Sequence, residues 1–341
     1  MMRFFSKPVK PMCVEPGSTV ERLAAQLSEL SFQARNVGTA IDVWERMLDD
    51  RTIILFGLAG AMVPAGMRRI VAFLIRNRFV DCVVSTGANL FHDCHETLGY
   101  SHWRGSQHAN DLELKENQVD RIYDTFASEA EFRETDEFIC EFSRSLPSGR
   151  PLTTREFLYL LGKRLSERSN EEGILTSAFK AEIPIYCPAP GDSSIGIALA
   201  VERERGGAGV VFDVVGDVLE TAQVASSGTT GVVYVGGGTP KNYIQQSEVT
   251  ISMVGRETPG HKYAIQLITD PPHWGGLSGC TFEEAQSWGK IASQAHKVTV
   301  YSDATISLPL IITALASKRK DNLTKRALPR FEMGSALKII F

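Results

Sequence analysis

The stretch TIILFGLAGAMVPAGMRRIVAFLIRNRFVDCVVSTG, residues 52–87, decides the fold. Its two ends, TIILFGL (52–58) and VDCVVSTG (80–87), are short, mainly apolar runs of the kind found in strands that are buried on both faces of a sheet. Between them, the apolar residues of AGMRRIVAFLIRNR (65–78) recur at helical spacing. The stretch therefore predicts a strand, a helix and a second strand, which together form the unit of a parallel sheet.

The same alternation continues along the chain. Further strands are predicted for four runs: EIPIYCPA (182–189), GVVYVGG (231–237), KYAIQLIT (262–269) and HKVTVYSD (296–303). Helical spacing returns in GVVFDVVGDVLETAQVAS (209–226) and FEEAQSWGKIASQA (282–295). The expected fold is α/β: a single large, doubly wound, mostly parallel sheet of the Rossmann-like type, with helices on both faces.

Composition narrows the class of protein. The 341 residues carry a formal net charge of −4 and are 43% apolar, which gives no electrostatic reason to expect nucleic acid. The six cysteines include no CxxC pair, so we expect neither a metal site nor a disulfide framework. The start of the chain lacks a signal-peptide pattern and the longest apolar run is too short to span a bilayer. We therefore expect a cytoplasmic protein without membrane contact.

Small and polar residues follow five of the predicted strands. They lie in STGAN (85–89), PAPGDSSIG (188–196), GGGTPKN (236–242), TDPPHWGGLSG (269–279) and SDAT (302–305). The carboxyl ends of parallel strands meet at one edge of the sheet, where ligands bind, and glycines there let phosphate groups approach the backbone. STGAN and GGGTPK are therefore dinucleotide candidates. Neither has the GxGxxG spacing, and each loop by itself also fits an ordinary turn.

A further feature is EEAQSWGKIASQ (283–294), in which a single glycine separates Trp288 from Lys290. A lysine beside a bulky apolar ring can be desolvated, which frees its amine for nucleophilic attack. Long charged side chains on helices usually reach water, however. On this stretch alone, a solvated Lys290 is the simpler interpretation.

Taken together, these motifs resemble the deoxyhypusine synthase family. The most specific pieces are IPIYCPAPGDSSIG (183–196), VYVGGG (233–238), SWGKI (287–291) and YSDA (301–304), and the resemblance runs from FQARNVGTA (32–40) to VYSDATISLPL (300–310). It implies an enzyme that uses NAD to oxidise a polyamine at a carbon next to nitrogen. The four-carbon aminobutyl group then passes, as an imine, to the lysine of SWGK and on to an acceptor amine, where the retained NADH reduces it.

The resemblance also implies roles for single residues. Lys290 is the expected covalent nucleophile, and Trp288 would desolvate it and offer an aromatic face to a polyamine cation. Glu284 corresponds to a polyamine-binding glutamate, although TFEE from Thr281 also fits a helix capping box, and the two roles are compatible. Asp192 corresponds to the first aspartate of the family's TDGS loop. The expected cofactor-binding residues are Thr86, Gly87, Gly237, Gly238, Thr269, Asp303 and Ala304.

Several positions depart from the enzymes that make deoxyhypusine. Acids of those enzymes are replaced here by His92, Ile197, Trp274 and Leu277, and their histidine after GGGxxK is Asn242. A site for the three ammonium groups of spermidine needs several carboxylates, since an unpaired buried charge is costly. These departures suggest a homospermidine synthase-like member that transfers the aminobutyl group to a small amine such as putrescine. His92, Trp274 and Asn242 are then expected at the substrate.

Two alternatives stay open. A true deoxyhypusine synthase would use a lysine of a translation factor as the acceptor, and the lost acids and Asn242 count against it. A non-catalytic binding protein on the same fold is the other alternative, and the retained SWGK motif with Glu284 counts against it.

The resemblance finally suggests an assembly and a division of the chain. We expect small polyamine substrates and a homo-oligomer, in particular a tetramer. The expected parts are an N-terminal extension and helix over 1–30, a catalytic NAD-binding domain over 31–316 and a basic C-terminal tail over 317–341. The basic bias of SKRKDNLTKRALPR (317–330) favours a solvated tail.

Overall fold

A computed structural model describes residues 7–147, 149–207, 209–323, 326 and 329–340. The helices are α1 Val20–Ser28, α2 Phe32–Asp49, α3 Arg68–Arg76, α4 Gly87–Thr97, α5 Asp111–Glu116, α6 Glu129–Arg144, α7 Thr154–Arg168, α8 Ile174–Ala181, α9 Ser194–Glu204, α10 Val214–Ser226, α11 Gly238–Met253, α12 Phe282–Ser287 and α13 Ala304–Lys318. The strands are β1 Ile53–Leu58, β2 Cys82–Ser85, β3 Trp103–Arg104, β4 Val119–Ile122, β5 Thr125–Ser128, β6 Ile185–Tyr186, β7 Thr230–Val235, β8 His261–Ile268, β9 Ile291–Tyr301, β10 Arg330–Met333 and β11 Leu337–Ile340. No helix in these ranges is both long and apolar enough to cross a membrane.

Six strands form one parallel sheet in the order β6-β2-β1-β7-β8-β9. The chain starts in the middle at β1, winds outward through β2 to β6, and then returns to the other side of β1 at β7. This is the strand order of the Rossmann fold, in which the winding direction changes between the two central strands. The predicted parallel, doubly wound sheet is confirmed, and its switch point lies between β1 and β7.

Both faces of the sheet are covered, as expected. Every residue of β1 is buried, and its side chains alternate between two apolar cores because successive side chains of a strand point to opposite faces. Ile54, Phe56 and Leu58 belong to the core that includes α2, α3 and α13. Ile53 and Leu55 belong to the core on the other face, together with residues of α10, α11 and α12. A small antiparallel sheet, β3-β5-β4, lies outside the main sheet.

The C-terminal segment corrects the expectation of a solvated tail. Its strands β10 and β11 form an antiparallel hairpin, and Phe331 and Leu337 are buried in the second core. The basic residues before the hairpin are paired: Lys318 contacts Glu45 at 2.8 Å, and Arg326 contacts Asp81 at 3.0 Å. Charge counting missed these pairs because their carboxylates lie far away in the sequence. Residues 324, 325, 327, 328 and 341 of the predicted tail lie outside the described residues.

One buried ion pair anchors the hairpin to the second face. The guanidinium of Arg155 on α7 is fully buried, and its Nε and Nη2 each donate to the Glu220 carboxylate at 2.9 Å. It also donates to the Gly334 carbonyl at 2.8 Å and the Ser335 carbonyl at 3.2 Å, in the turn of the hairpin. Glu220 in turn accepts from the Leu337 N–H at 3.2 Å. The hairpin is therefore held by charged groups as well as by its apolar residues.

We predict that Arg155→Ala lowers the free energy of unfolding by about 3–5 kcal/mol, because removal of one partner leaves Glu220 as an unpaired buried charge. Urea denaturation followed by circular dichroism measures this change. The matched control is Arg164→Ala on the same helix, whose contact to Glu167 at 3.7 Å is exposed and should contribute at most about 1 kcal/mol. Equal stabilities of the two variants would contradict this account.

Candidate active site

A cavity of about 320 Å³ lies at the carboxyl edge of the sheet, at the switch point between β1 and β7. It is built from the loops that follow β1, β7, β8 and β9. Its lining residues are Ala59, Gly60, Met62, Gly236, Gly237, Gly238, Leu267, Ile268, Thr269, Asp270, Ser278, Ser302, Asp303 and Ala304. Five of the seven expected cofactor-binding residues are thus brought together here. This is the place where open α/β sheets bind their ligands.

The glycine loop after β7 exposes bare backbone to this cavity. Gly236 and Gly238 have φ angles of 71° and 55°, a region that favours glycine. A side chain at Gly237 would come within 2.6 Å of Ser278 Cα, whereas one at Gly238 would meet no atom within 4 Å. The first of these glycines lets two loops touch, and the second leaves space at the cavity wall. The Gly238 N–H donates to Ser278 Oγ at 3.0 Å.

Asp303 ends the strand β9 and caps the helix α13. Its Oδ1 accepts from the Thr305 N–H at 2.7 Å and from the Thr305 hydroxyl at 2.8 Å. Both bonds use the same oxygen, so that among the described residues no side chain or backbone donor is recorded at Oδ2. Because a carboxylate can accept several hydrogen bonds, the capping role leaves Asp303 able to accept one from a ligand in the cavity.

Lys290 lies at the end of a helix rather than inside one, which corrects the helical pattern expected over 282–295. The helix α12 ends at Ser287, and Gly289 follows it with a φ of 71°. The Lys290 N–H donates to the Ala285 carbonyl and the Gly289 N–H to the Gln286 carbonyl, which is the hydrogen-bond pattern of a Schellman motif. The glycine of SWGK is thus the left-handed residue that stops the helix.

The expected neighbour of Lys290 is in place. The ring centroid of Trp288 lies 5.2 Å from the Lys290 ammonium nitrogen. The Lys290 residue is only 9% exposed, whereas Trp288 is 66% exposed. The Lys290 carbonyl accepts from the His261 N–H at 3.1 Å at the start of β8, so that the backbone of the lysine is fixed. Lys290 and Trp288 do not line the cavity at the carboxyl edge.

A buried clamp connects these two parts of the site, and sequence reasoning missed it. Lys241 Nζ donates to Gln266 Oε1 at 3.0 Å, to the Ser278 carbonyl at 3.2 Å and to the Cys280 carbonyl at 2.5 Å. Gln266 Nε2 donates to the carbonyls of Gly236 and Ser278, both at 2.9 Å. Burial lowers the pKa of Lys241 to about 8. The segment that leads from the cavity to α12 is therefore held on the glycine loop.

Two signals could have revealed the clamp. Gln266 is the only uncharged polar amide in the apolar run KYAIQLIT, and Lys241 belongs to the GGGTPK loop already chosen for its glycines. A buried amide in a central strand needs hydrogen-bond partners, so the Gln266 position points to a polar network at this height of the sheet. Its partners could not be named, because they lie 12 to 30 residues away along the chain.

The remaining predicted residues lie near the cavity or apart from it. Thr86 accepts from Asn89 at 3.1 Å, and Asn89 also donates to the carbonyl of the cavity residue Gly60 at 2.7 Å. A side chain at Gly87 would meet Ser193 at 2.3 Å, so that the loop carrying the exposed Asp192 packs against the start of α4. Outside the cavity lining are Asp192, Glu284, Asn242, Trp274 and His92.

Glu284 and His92 have partners of different kinds. The Glu284 N–H donates to Thr281 Oγ1 at 3.1 Å, so Thr281 caps α12 as the sequence suggested. His92 is partly buried, and its Nδ1 lies 2.9 Å from His102 Nε2. Trp274 is 75% exposed, and Asn242 lies on α11 beside the clamp residue Lys241. The single chain therefore gathers the cofactor residues more tightly than the substrate residues.

Comparison with known proteins agrees with this geometry. The family model described as deoxyhypusine synthase matches residues 22–315. The chain belongs to the deoxyhypusine synthase family. A protein of Methanosarcina mazei named "Probable deoxyhypusine synthase 2" is 51% identical over 96% of this chain and 94% of its own length. A protein of Archaeoglobus fulgidus with the same name is 49% identical over 86% of this chain and 97% of its own length.

A solved structure from Entamoeba histolytica, also described as a deoxyhypusine synthase, shares the fold. It superposes with a TM-score of 0.61 at 19% identity and covers 96% of this chain and 100% of its own. The deoxyhypusine synthase family carries out NAD-dependent aminobutyl transfer, and NAD is its cofactor. The bare backbone at Gly238 and the carboxylate of Asp303 fit a dinucleotide at the cavity, because they offer space and a hydrogen-bond acceptor at a strand end.

We predict that Lys241→Met weakens NAD binding, because the Ser278 and Cys280 carbonyls and Gln266 lose their donor and the Gly237–Ser278 contact relaxes. The free energy of unfolding should fall by about 1–3 kcal/mol, the cost of leaving buried acceptors unsatisfied. Calorimetric titration with NAD and urea denaturation measure the two effects.

The control for this variant is Lys163→Met on α7, where the lysine is exposed. It removes the same charge and should change neither quantity. A folded Lys241→Met protein with the NAD affinity of the parent would show that the clamp does not shape the cofactor cavity.

Proposed function

We propose that this protein transfers a 4-aminobutyl group from a polyamine, through an imine on Lys290, to a small amine such as putrescine. The observation that carries this proposal is the chemistry of the rim near Lys290. The positions that carry acids in deoxyhypusine-forming relatives hold Ile197, Trp274 and Leu277, and all three side chains are exposed. A rim of this kind suits a shorter or less charged amine than spermidine, because it offers fewer carboxylates to ammonium groups.

The acids that remain near Lys290 are partly engaged. The Glu283 carboxylate contacts Lys297 Nζ at 3.0 Å, so its charge is offset before any substrate arrives. Glu284 is exposed at the first turn of α12, where it can accept one ammonium group. Trp274 and Trp288 can hold a cation over an aromatic face, an interaction worth about 0.5–2 kcal/mol. These groups together suit a diamine better than a triamine.

The chain's own residues account for the transfer as follows. Bound NAD supplies a hydride acceptor for the carbon next to the amine nitrogen of the donor and later returns the hydride. The Lys290 amine, held beside Trp288 by the helix end, adds to the oxidised carbon, and the departing amine leaves with the proton. The acceptor amine then displaces Lys290 from the same carbon. The neutral form of Lys290 must add, since only it has a free lone pair.

A true deoxyhypusine synthase is the second candidate. The names of the relatives at about half identity favour it, and its acceptor would be a lysine of a translation factor. A non-catalytic binding protein is a weaker candidate, because the Schellman turn, Trp288 and the clamp all serve the placement of Lys290. The six cysteines are free thiols, which suits the cytoplasmic location that we propose.

We predict that Lys290→Arg abolishes transfer while the protein stays folded, because a guanidinium keeps the charge but cannot form the imine. Borohydride reduction in the presence of NAD and spermidine should add mass to Lys290 in the parent protein and none to the variant. The matched control is Lys297→Arg, seven residues away on β9, which should still be labelled at Lys290. Full transfer by Lys290→Arg would refute the covalent mechanism.

Product analysis separates the candidates. Chromatography after incubation with putrescine should reveal homospermidine, whereas labelled spermidine should leave a translation factor unlabelled. A clearly higher kcat/KM for spermidine together with transfer to the translation factor's lysine would overturn the proposal in favour of a deoxyhypusine synthase. Absence of any label on Lys290 would favour the non-catalytic protein.

We also propose a homo-oligomer, in particular a tetramer, whose interface covers the rim of the site. Large apolar side chains are exposed beside the cavity and Lys290: Trp274, Leu277, Trp288 and Ile306. A contiguous exposed apolar patch of this kind is typical of a protein interface. The copies would complete the substrate half of the site, which the single chain leaves open.

The predicted assembly can be measured directly. Light scattering at micromolar concentration should give about four times the mass of one chain, which is 37.5 kDa. Ile306→Asp should lower the assembled fraction, because burial of an unpaired charge at an interface is costly. The control is Met253→Asp at the exposed end of α11, which should leave the mass unchanged. A parent protein with the mass of one chain would contradict the proposal.

A further inference from the structure

Three polar side chains form a hydrogen-bonded chain beside the cavity. The carboxylate of Glu96 lies 2.7 Å from His102 Nδ1, and His102 Nε2 lies 2.9 Å from His92 Nδ1. The His102 side chain is only 4% exposed, whereas His92 is partly exposed. Phe132 of α6 packs on both imidazoles, with centroid distances of 5.5 and 6.4 Å. We call Glu96, His102 and His92 the relay.

The relay fixes which nitrogen of each imidazole carries the proton. A carboxylate only accepts hydrogen bonds, so His102 must donate from Nδ1 to Glu96. In the neutral ring, His102 Nε2 is then an acceptor, and His92 must donate to it from Nδ1. His92 is left with an unprotonated Nε2, to which no hydrogen bond is recorded from any residue of the described ranges. The lone pair of this nitrogen is free to accept a hydrogen bond.

The position of α4 places the relay next to the site. Asn89, one helical turn before His92, donates to the carbonyl of Gly60 in the cavity wall at 2.7 Å. Residues three apart lie on the same side of a helix, so His92 follows Asn89 along the flank of the cavity. His92 also occupies a position where the deoxyhypusine-forming relatives carry an acid. An acceptor is thus kept at this place, and its charge is lost.

We propose that the Glu96–His102 pair holds His92 as a neutral hydrogen-bond acceptor for an amine of the substrate, and that this selects a diamine over a triamine. The proposal rests on the polyamine function proposed above, and within it His92 touches the substrate while His102 and Glu96 are positioning residues. A carboxylate at this place would pair with an additional ammonium group. An imidazole nitrogen offers a directed lone pair without a counter-charge, so a third ammonium group of the substrate stays unpaired.

The surroundings keep His92 neutral. Burial first, and then the imidazoles of His102 and His95, lower the pKa of His92 to about 3. Burial and His102 likewise lower the pKa of His95 to about 4. The charged groups that face the cluster are Glu96 on the same helix and Glu131 on α6, which lies 3.8 Å from His95 Nε2. His92 is therefore an acceptor, not a cation, across the physiological pH range.

The test compares the binding of putrescine and spermidine to the protein with NAD bound, by calorimetry, in four variants. His92→Glu restores the acid and should shift the affinity ratio toward spermidine by about tenfold or more, the usual gain of a charge-assisted hydrogen bond over a neutral one. Glu96→Gln keeps the shape of the relay but frees the His102 tautomer, so putrescine binding should weaken although His92 is intact. His102→Gln should act in the same way, and it covers the case in which Glu96→Gln does not fold.

The control is His108→Glu, which adds the same charge at an exposed position outside the relay and should leave the ratio unchanged. Nitrogen-15 NMR of the parent should show the His92 ring protonated at Nδ1, and of Glu96→Gln a mixture of tautomers, a readout that a purely structural role would not move. A parent that binds polyamines and a His92→Glu protein with the same ratio would overturn the relay alone. A parent that binds neither amine would overturn the polyamine function, and the relay with it.

Discussion

One buried ammonium group holds the site together. Lys241 Nζ lies among the Gln266 side chain and the Ser278 and Cys280 carbonyls, and the last two begin the segment that leads into α12 and Lys290. Gln266 bonds in addition to the glycine loop at Gly236. A shift of this segment would change the wall of the cofactor cavity and the position of the lysine at the same time. Because a charge without partners is costly in the interior, Lys241 tolerates few other arrangements of these loops.

The sheet could be predicted from the sequence because its signals are local. Continuous apolar runs such as TIILFGL are buried on both faces only in a parallel sheet, and helices between them impose the doubly wound order. The end of α12 could not be placed by periodicity, since the apolar spacing continues past Gly289 and only the left-handed backbone of that residue stops the helix. The C-terminal hairpin escaped for another reason, which is that its partners Arg155 and Glu220 lie in α7 and α10.

The candidate site could be predicted to different extents in its two halves. The cofactor residues follow strands, and the parallel sheet brings all strand ends to one edge, so that Gly237, Gly238, Thr269 and Asp303 meet there by topology alone. The substrate residues come from loops and helix flanks, where no periodic rule operates. His92 illustrates the difference: the sequence marked the position, but the partner that gives it a defined tautomer, His102, lies ten residues on, in the segment after α4.

Charge connects the substrate half to its chemistry. The Lys290 amine must lose its proton before it can add to carbon, and each ammonium group of the donor and acceptor must be accommodated nearby. Carboxylates that would neutralise those groups also stabilise the protonated form of a neighbouring lysine. Replacing them by Trp274, Leu277 and the neutral acceptor His92 therefore has two effects with the same direction: it disfavours a highly charged substrate and it favours the free amine of Lys290. A site with this composition gains reactivity at the lysine from the same substitutions that restrict its choice of amine.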